Sequence, residues 1–244
     1  MSALNPGKAG YHRSLQKVVR KKRGVLRSVL LLSVGAVVLV HVCALLALVT
    51  LRWVNPITTA VQAERRVSAW ILHKPYRKHY IFVPLRRISP NLQHAVVAAE
   101  DGRFYQHHGI DWQEVQKVVD EDLDKGKLGR GGSTITQQLV KNLFLSTSRS
   151  LLWKALEFTL APAAELVLPK RRILELYLNV IEWGPGIYGA AAAANFWYHV
   201  PAARLDRDQA ARLAAVLPAP LRWHPDRLTR YSTEIERRME ETGW

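Results

Sequence analysis

From Ser28 to Leu51 the chain runs for 24 residues without a single Asp, Glu, Lys or Arg. Nothing else in the sequence restricts the fold as strongly. A helix rises about 1.5 Å per residue, so this run reaches about 36 Å, enough to cross a hydrocarbon core of about 30 Å. Inside lipid the backbone has no water to bond, so a lone segment must be helical. His41 is the one strongly polar interruption, and a neutral imidazole is tolerable there. A cleaved secretory leader is the competing reading. It fits poorly, because leader cores are typically about 7–15 residues and end at a small-x-small site. Cys43 lies inside the run as an apolar filler, and a single cysteine excludes an intrachain disulfide framework or a multi-cysteine metal site.

The formal net charge is +15, and it is unevenly placed. Residues 1 to 27 hold eight Lys or Arg and no acid, which leaves +7 for the rest. Basic residues before the span predict a cytoplasmic N-terminus and a domain outside the membrane after Arg52. A basic chain suits nucleic acid, anionic lipid or a phosphorylated substrate. The tail and span account for much of the charge, no zinc-finger spacing is present, and a domain outside the membrane meets no DNA, so nucleic acid is not an expected partner.

The reading divides the chain into a basic tail (1–27), a membrane helix (28–51), a linker (52–79) and a domain (80–235). Residues 55–75 read as an amphipathic connecting helix ending at Pro75, followed by an extended Ile81-Phe-Val-Pro. Ser89-Pro90 is a helix start, with Ser as cap and Pro at the first helical position. Further helices are predicted at about 112–124, 134–144, 150–168, 171–182, 190–198 and 206–216. No alternating strand pattern of any length and no internal repeat occur, so the class is mainly α.

Three groups of residues carry chemistry. In Glu100-Asp101-Gly-Arg-Phe104-Tyr-Gln-His107-His-Gly109, Glu100 follows Val96 by four residues and Leu92 by eight. It falls on the apolar face at the C-terminal end of its helix, where burial and the helix dipole both disfavour a carboxylate charge. That suits a general acid or base, although a cap paired with Arg103 would use the same residues. In Gly131-Gly132-Ser133-Thr134-Ile135-Thr136-Gln137-Gln138-Leu-Val-Lys141-Asn142 a glycine loop opens a helix. Free N–H groups, hydroxyls, amides and a lysine then form a cradle for an anion or sugar; a capped helix with a polar first turn is the plainer alternative. Third, Arg149, Lys154 and Glu157 follow, the last two sharing a helix face and open to reading as a solvated ion pair. Two other patterns are set aside. Gly184-Pro-Gly186-Ile-Tyr-Gly189 spells a dinucleotide fingerprint, but a helix is expected before it. Ser14-Leu-Gln-Lys17 spells a transpeptidase motif within the basic tail, with no Lys-Thr-Gly element to accompany it.

In this order, with Arg172-Ile-Leu-Glu175-x-Tyr177-Leu178-Asn179 and the Gly-Ile-Tyr-Gly-Ala block at 186–190, these motifs resemble glycosyltransferase family 51, the peptidoglycan glycosyltransferases. The resemblance covers about residues 80 to 225 and is closest to the monofunctional type, since the chain leaves no room for a transpeptidase domain. It implies a lysozyme-like α fold with a small membrane-apposed lobe at about 110–130, behind one transmembrane helix in a bacterial inner membrane. It implies lipid II and a growing glycan strand as substrates, with other cell-wall synthesis or division proteins as candidate partners, and moenomycin as a mimic of the donor. Glu100 becomes the base that takes the acceptor hydroxyl proton, and Glu157 a second catalytic glutamate. Lys141, Arg149 and Lys154 neutralise the leaving pyrophosphate, while Asp101, Phe104, His107, Ser133, Thr134, Gln137, Gln138 and Asn142 complete the substrate site. The sequence requires no cofactor; the resemblance allows a divalent cation, Mg or Mn, at the donor pyrophosphate. Three positions depart from the pattern: Trp153 where the family has Arg, Ala191 where it has Glu, and Pro162 inside the helix of Glu157, where a kink is expected. Two rival functions follow: a lytic enzyme of the same fold, which has no need of the three cations, and an idle paralogue serving as a membrane partner.

Overall fold

The computed structural model describes residues 6–125, 132–148 and 150–244, without the side chains of 6–26 and 122–125. The chain forms two compact units, residues 1–46 and 47–244. The first belongs to helix α1 (Pro6–Leu51), which includes the apolar segment Arg27–Leu51 with a mean hydropathy of 2.8. Its polar side chains turn back onto their own helix: Ser33 donates to the Val29 carbonyl at 2.9 Å, and His41 Nδ1 lies 2.8 Å from the Val37 carbonyl. A span therefore carries these groups without exposing an unsatisfied donor to lipid.

The second unit is helical apart from one small sheet. Helices α2 (Ala60–Ile71), α3 (Pro90–Glu100), α4 (Trp112–Lys125), α5 (Ile135–Phe144), α6 (Leu151–Val167), α7 (Lys170–Val180), α8 (Ala190–Tyr198), α9 (Arg207–Val216) and α10 (Thr229–Glu241) follow in order. Their starts have local causes. Thr59, Ser89, Ser150 and Asp206 cap α2, α3, α6 and α9 with their side chains, and Thr134 caps α5 in a reciprocal box with Gln137. Helix α3 packs on α9 and α10, where Ala210, Ala211, Ala214 and Ala215 are fully buried. Small side chains there let the helices approach closely. Helix α5 packs on α2, α6 and α7 through Ile135, Leu139 and Val140. The mainly α expectation holds.

One feature differs from the sequence reading. Strands β1 (His79–Tyr80), β2 (Glu182–Gly184) and β3 (Ile187–Tyr188) form a sheet in the order β1-β3-β2, with β1 parallel and β2 antiparallel to β3. The glycine pattern at 184–189 is thus preceded by a strand and not a helix. It is a hairpin: Gly186, at φ 74°, turns the chain, and a Cβ there would meet the Arg77 carbonyl oxygen at 2.4 Å. No crossover helix joins β2 to β3, so the dinucleotide reading fails for this reason instead. Helix α6 carries Pro162 inside its span. Gly109, at φ 92°, lies against that stretch, and a Cβ on it would sit 2.7 Å from Ala161 C and Pro162 N.

Candidate functional site

The turn after α3 and the start of α5 form the floor of a cleft. Glu100 ends α3, half-buried, and its Oε2 accepts a hydrogen bond from Gln138 Nε2 at 2.7 Å. The Gln138 side-chain Oε1 in turn accepts from the Tyr177 hydroxyl at 2.7 Å. Tyr177 is buried. Burial, and then the charges of Glu100 and Asp101, push its phenol well above the ordinary range, so it stays a donor. A donor fixed on one side of the amide turns its NH2 toward Glu100. Tyr177 had no assigned role in the sequence reading, because the contact joins α7 to α5 and only the fold brings them together.

Two cavities adjoin here. The larger, about 710 Å3, is lined by Glu100, Asp101, Arg103 and Lys117 and by Tyr231, Arg237 and Arg238 of α10, among others. The smaller, about 360 Å3, is lined by Lys141, Lys154, Glu157, Trp153, Ser148 and Ser150, among others. Ser133 and Gln138 line both. The two cavities therefore share a wall, with Glu100 in the larger and Lys141 and Lys154 in the smaller. Lys154 Nζ donates to Ser133 Oγ at 2.8 Å and to Glu157 Oε2 at 3.0 Å, and it stands 5.3 Å from the Phe158 ring centre. The Lys154 side chain is 41% exposed against 8% for Glu157. The lysine therefore reaches the cavity while the glutamate holds it from beneath. The indole of Trp153 is part of the cavity wall.

Other predicted site residues support the cleft from behind. The Asp101 carboxylate accepts from the Ile135 N–H at 2.9 Å and lies 2.9 Å from His107 Nε2, tying the end of α3 to the start of α5. Phe104 is fully buried, edge-on to His107, with Lys170 Nζ 4.4 Å from its ring centre. Thr134 Oγ1 and Gln137 Oε1 form the capping box, and Thr134 Oγ1 also donates to the Gly109 carbonyl at 2.6 Å. For these two the plainer reading, a capped helix, describes the hydrogen bonds; Thr134 nonetheless borders the larger cavity. The Asn142 amide donates to the Gln138 carbonyl at 2.8 Å, within its own helix. Arg149 and Gly131 lie outside the described residues. The sequence reading also missed Thr136, which donates to Glu165 at 2.6 Å while Lys170 pairs with the same oxygen at 2.7 Å.

Asp101, His107 and Asp111 place ligand-type atoms within 4.8 Å of one another. Several of their lone pairs are already engaged, although His107 Nδ1 has no hydrogen-bond partner. Asp101 takes His107 and Ile135, and Asp111 Oδ1 caps α4 through the N–H groups of Gln113 and Glu114, both at 3.1 Å. Arg103 Nε stands 3.5 Å from Asp111 Oδ2, an ion contact longer than a good hydrogen bond. This trio braces the turn, with the Arg103 guanidinium beside Asp111.

A helical domain with a carboxylate at the end of one helix, beside a cationic cavity across a shared wall, is similar to the lysozyme-like enzymes that act on glycosidic bonds. Residues 65–242 match the family model described as Transglycosylase, and the chain belongs to that family. It is similar to proteins named biosynthetic peptidoglycan transglycosylase from three bacteria. The Laribacter hongkongensis protein is 46% identical over 192 residues, covering 77% of this chain and 84% of the relative. That of Thiobacillus denitrificans is 54% identical over 163 residues, 67% and 66%. That of Pseudomonas putida strain W619 is 40% identical over 225 residues, 91% and 92%.

Proposed function

We propose that this enzyme polymerises lipid II into peptidoglycan glycan strands at the outer face of the bacterial inner membrane. The observation that carries the reading is the pair of adjoining cavities: Glu100 in the larger and Lys141 with Lys154 in the smaller, with Ser133 and Gln138 lining both. In this reading the acceptor lipid II occupies the larger cavity and the growing strand, the donor, the smaller. Glu100 takes the proton of the acceptor sugar's 4-hydroxyl. That oxygen bonds to the donor anomeric carbon from the opposite face, with inversion. The bond from that carbon to the pyrophosphate oxygen breaks, and the lipid pyrophosphate leaves with the electron pair. A positioned base contributes on the order of 10²–10⁴-fold. The two lysines oppose the charge that develops on the leaving group. Glu157 is the only acid lining the smaller cavity among the described residues. One carboxylate plus substrate phosphates is a common way to hold Mg. Glu157 would hold such an ion, which would supply further charge neutralisation.

The preference over a lytic enzyme rests on those lysines, since glycan cleavage expels no pyrophosphate. The test is incubation of detergent-solubilised protein with lipid II. Polymerised glycan is expected, and Glu100→Gln should abolish it while the melting temperature holds. Cleavage of finished strands would instead identify a lytic enzyme, and neither activity would leave a scaffold.

A further inference from the structure

Helix α2 reads from sequence as a connector, yet it grips the rim of the smaller cavity. Glu64 is half-buried on α2, and its two oxygens take both donors of one residue. Oε2 accepts from the Thr147 N–H at 2.8 Å and Oε1 from the Thr147 hydroxyl at 2.6 Å. Thr147 lies in the connection between α5 and α6. Its neighbours form a small knot, with Ser146 Oγ accepting from the Ser148 N–H at 3.0 Å and donating to Ser148 Oγ at 3.1 Å. Ser148 and Ser150 line the smaller cavity together with the lysines. The helix that holds this loop is itself fixed. Val61 and Gln62 are buried against the domain, and Arg65 pairs with Glu182 at 3.0 Å.

Burial alone would push the Glu64 carboxyl up. The Thr147 hydroxyl and N–H, Ser146 and the Arg65 charge outweigh that and leave it below the ordinary carboxylate range. The ionised form is thus the one that holds the loop. A charged acceptor taking two short bonds from one residue fixes both its backbone and its side-chain rotamer.

We propose that Glu64 is a positioning residue for glycosyl transfer: through Thr147 it holds the α5–α6 loop at the edge of the donor cavity and thereby sets donor affinity. This rests on the reading of the smaller cavity as the donor site. Glu64 lines neither cavity, so its loss acts on binding and leaves the base and its relay in place.

The test uses the full chain in detergent, with lipid II as substrate and moenomycin as a donor-side probe read by direct binding. Glu64→Ala should raise the KM for lipid II and weaken moenomycin by about 10-fold each, the scale of losing charge-assisted hydrogen bonds, with kcat within about three-fold. Thr147→Val keeps the N–H and loses the hydroxyl, and should fall between wild type and Glu64→Ala. Glu64→Gln should recover part of the loss, since its amide oxygen can accept the N–H and its NH2 can meet the hydroxyl. A fall in kcat at constant KM and constant moenomycin affinity would overturn the proposal, as would three variants matching wild type. If Glu64→Ala fails to fold, Thr147→Val and Glu64→Gln carry the same test. Wild-type protein that binds moenomycin but leaves lipid II unpolymerised would overturn the functional reading, while the ranking of moenomycin affinities would still decide the role of Glu64.

Discussion

The side chain of Gln138 connects a buried phenol to the carboxylate proposed as the base. Without the Tyr177 hydroxyl the half-buried amide oxygen loses its donor, and either end of the amide can then turn to Glu100. An unsatisfied buried acceptor costs about 1–3 kcal/mol. Tyr177→Phe should therefore lower kcat on lipid II by roughly ten-fold, with little change in KM; a KM effect alone would separate Tyr177 from the base. The opposite signature belongs to Trp153. Its indole sits in the wall of the cationic cavity beside Lys154, with one N–H and no charge to offer a phosphate. A charge-assisted bond is worth about 1.5–3 kcal/mol. Trp153→Arg should thus lower the apparent Michaelis constant, or tighten moenomycin, by at least a few-fold, while Trp153→Ala should be no better than wild type. A folded Trp153→Arg protein with reduced activity would show that the indole is an adapted contact for sugar or lipid.

Among the elements, the loop from Asp101 to Asp111 is the joint on which the cleft depends. Gly109 lies against the backbone of α6 at φ 92°, and its carbonyl holds the cap of α5. A Cβ there meets α6 backbone 2.7 Å away in a conformation that costs an L-residue energy of its own. Gly109→Ala should destabilise the domain by about 2–4 kcal/mol, combining strain with overpacking. Urea unfolding of the two proteins measures this, and an unchanged midpoint would remove Gly109 from the joint. Much of this level was legible in the sequence. The starts of α3, α5 and α9 show in Ser89, Thr134 and Asp206, because a cap is a local hydrogen bond between residues close in sequence. Thr134 with Gln137 also spelled out a capping box, which weakens any reading of Gln137 as a sugar ligand. The sheet was not legible, since strands of two or three residues leave no alternation to detect. Helix α10 was missed because an Arg and Glu ladder dominates it and no side chain caps its start. The buried Ser232, Ile235 and Met239, spaced by three and four, were the available signal. The partnerships of Tyr177 with Gln138 and of Glu64 with Thr147 join separate elements, and no local pattern announces them.

For the whole molecule the proposed orientation follows from charge. Eight basic residues precede the apolar segment, so a phosphatase fused after Trp244 should be active outside the inner membrane. Activity only from a cytoplasmic reporter at that point would reverse the topology.

Where the apolar helix ends, Arg172 of α7 collects the emerging chain. Its guanidinium donates to the Leu51 carbonyl at 2.9 Å, the Val54 carbonyl at 3.0 Å and Asn55 Oδ1 at 2.8 Å, and it pairs with Glu175. Glu175 in turn accepts the Leu85 N–H at 2.7 Å. Anyone trimming the chain to obtain a water-soluble fragment must therefore choose where to cut with this arginine in mind. A fragment starting at Arg52 gives up one acceptor, and one starting at Pro56 gives up all three. The second should melt at a lower temperature than the first, although neither cut touches a residue of the cleft.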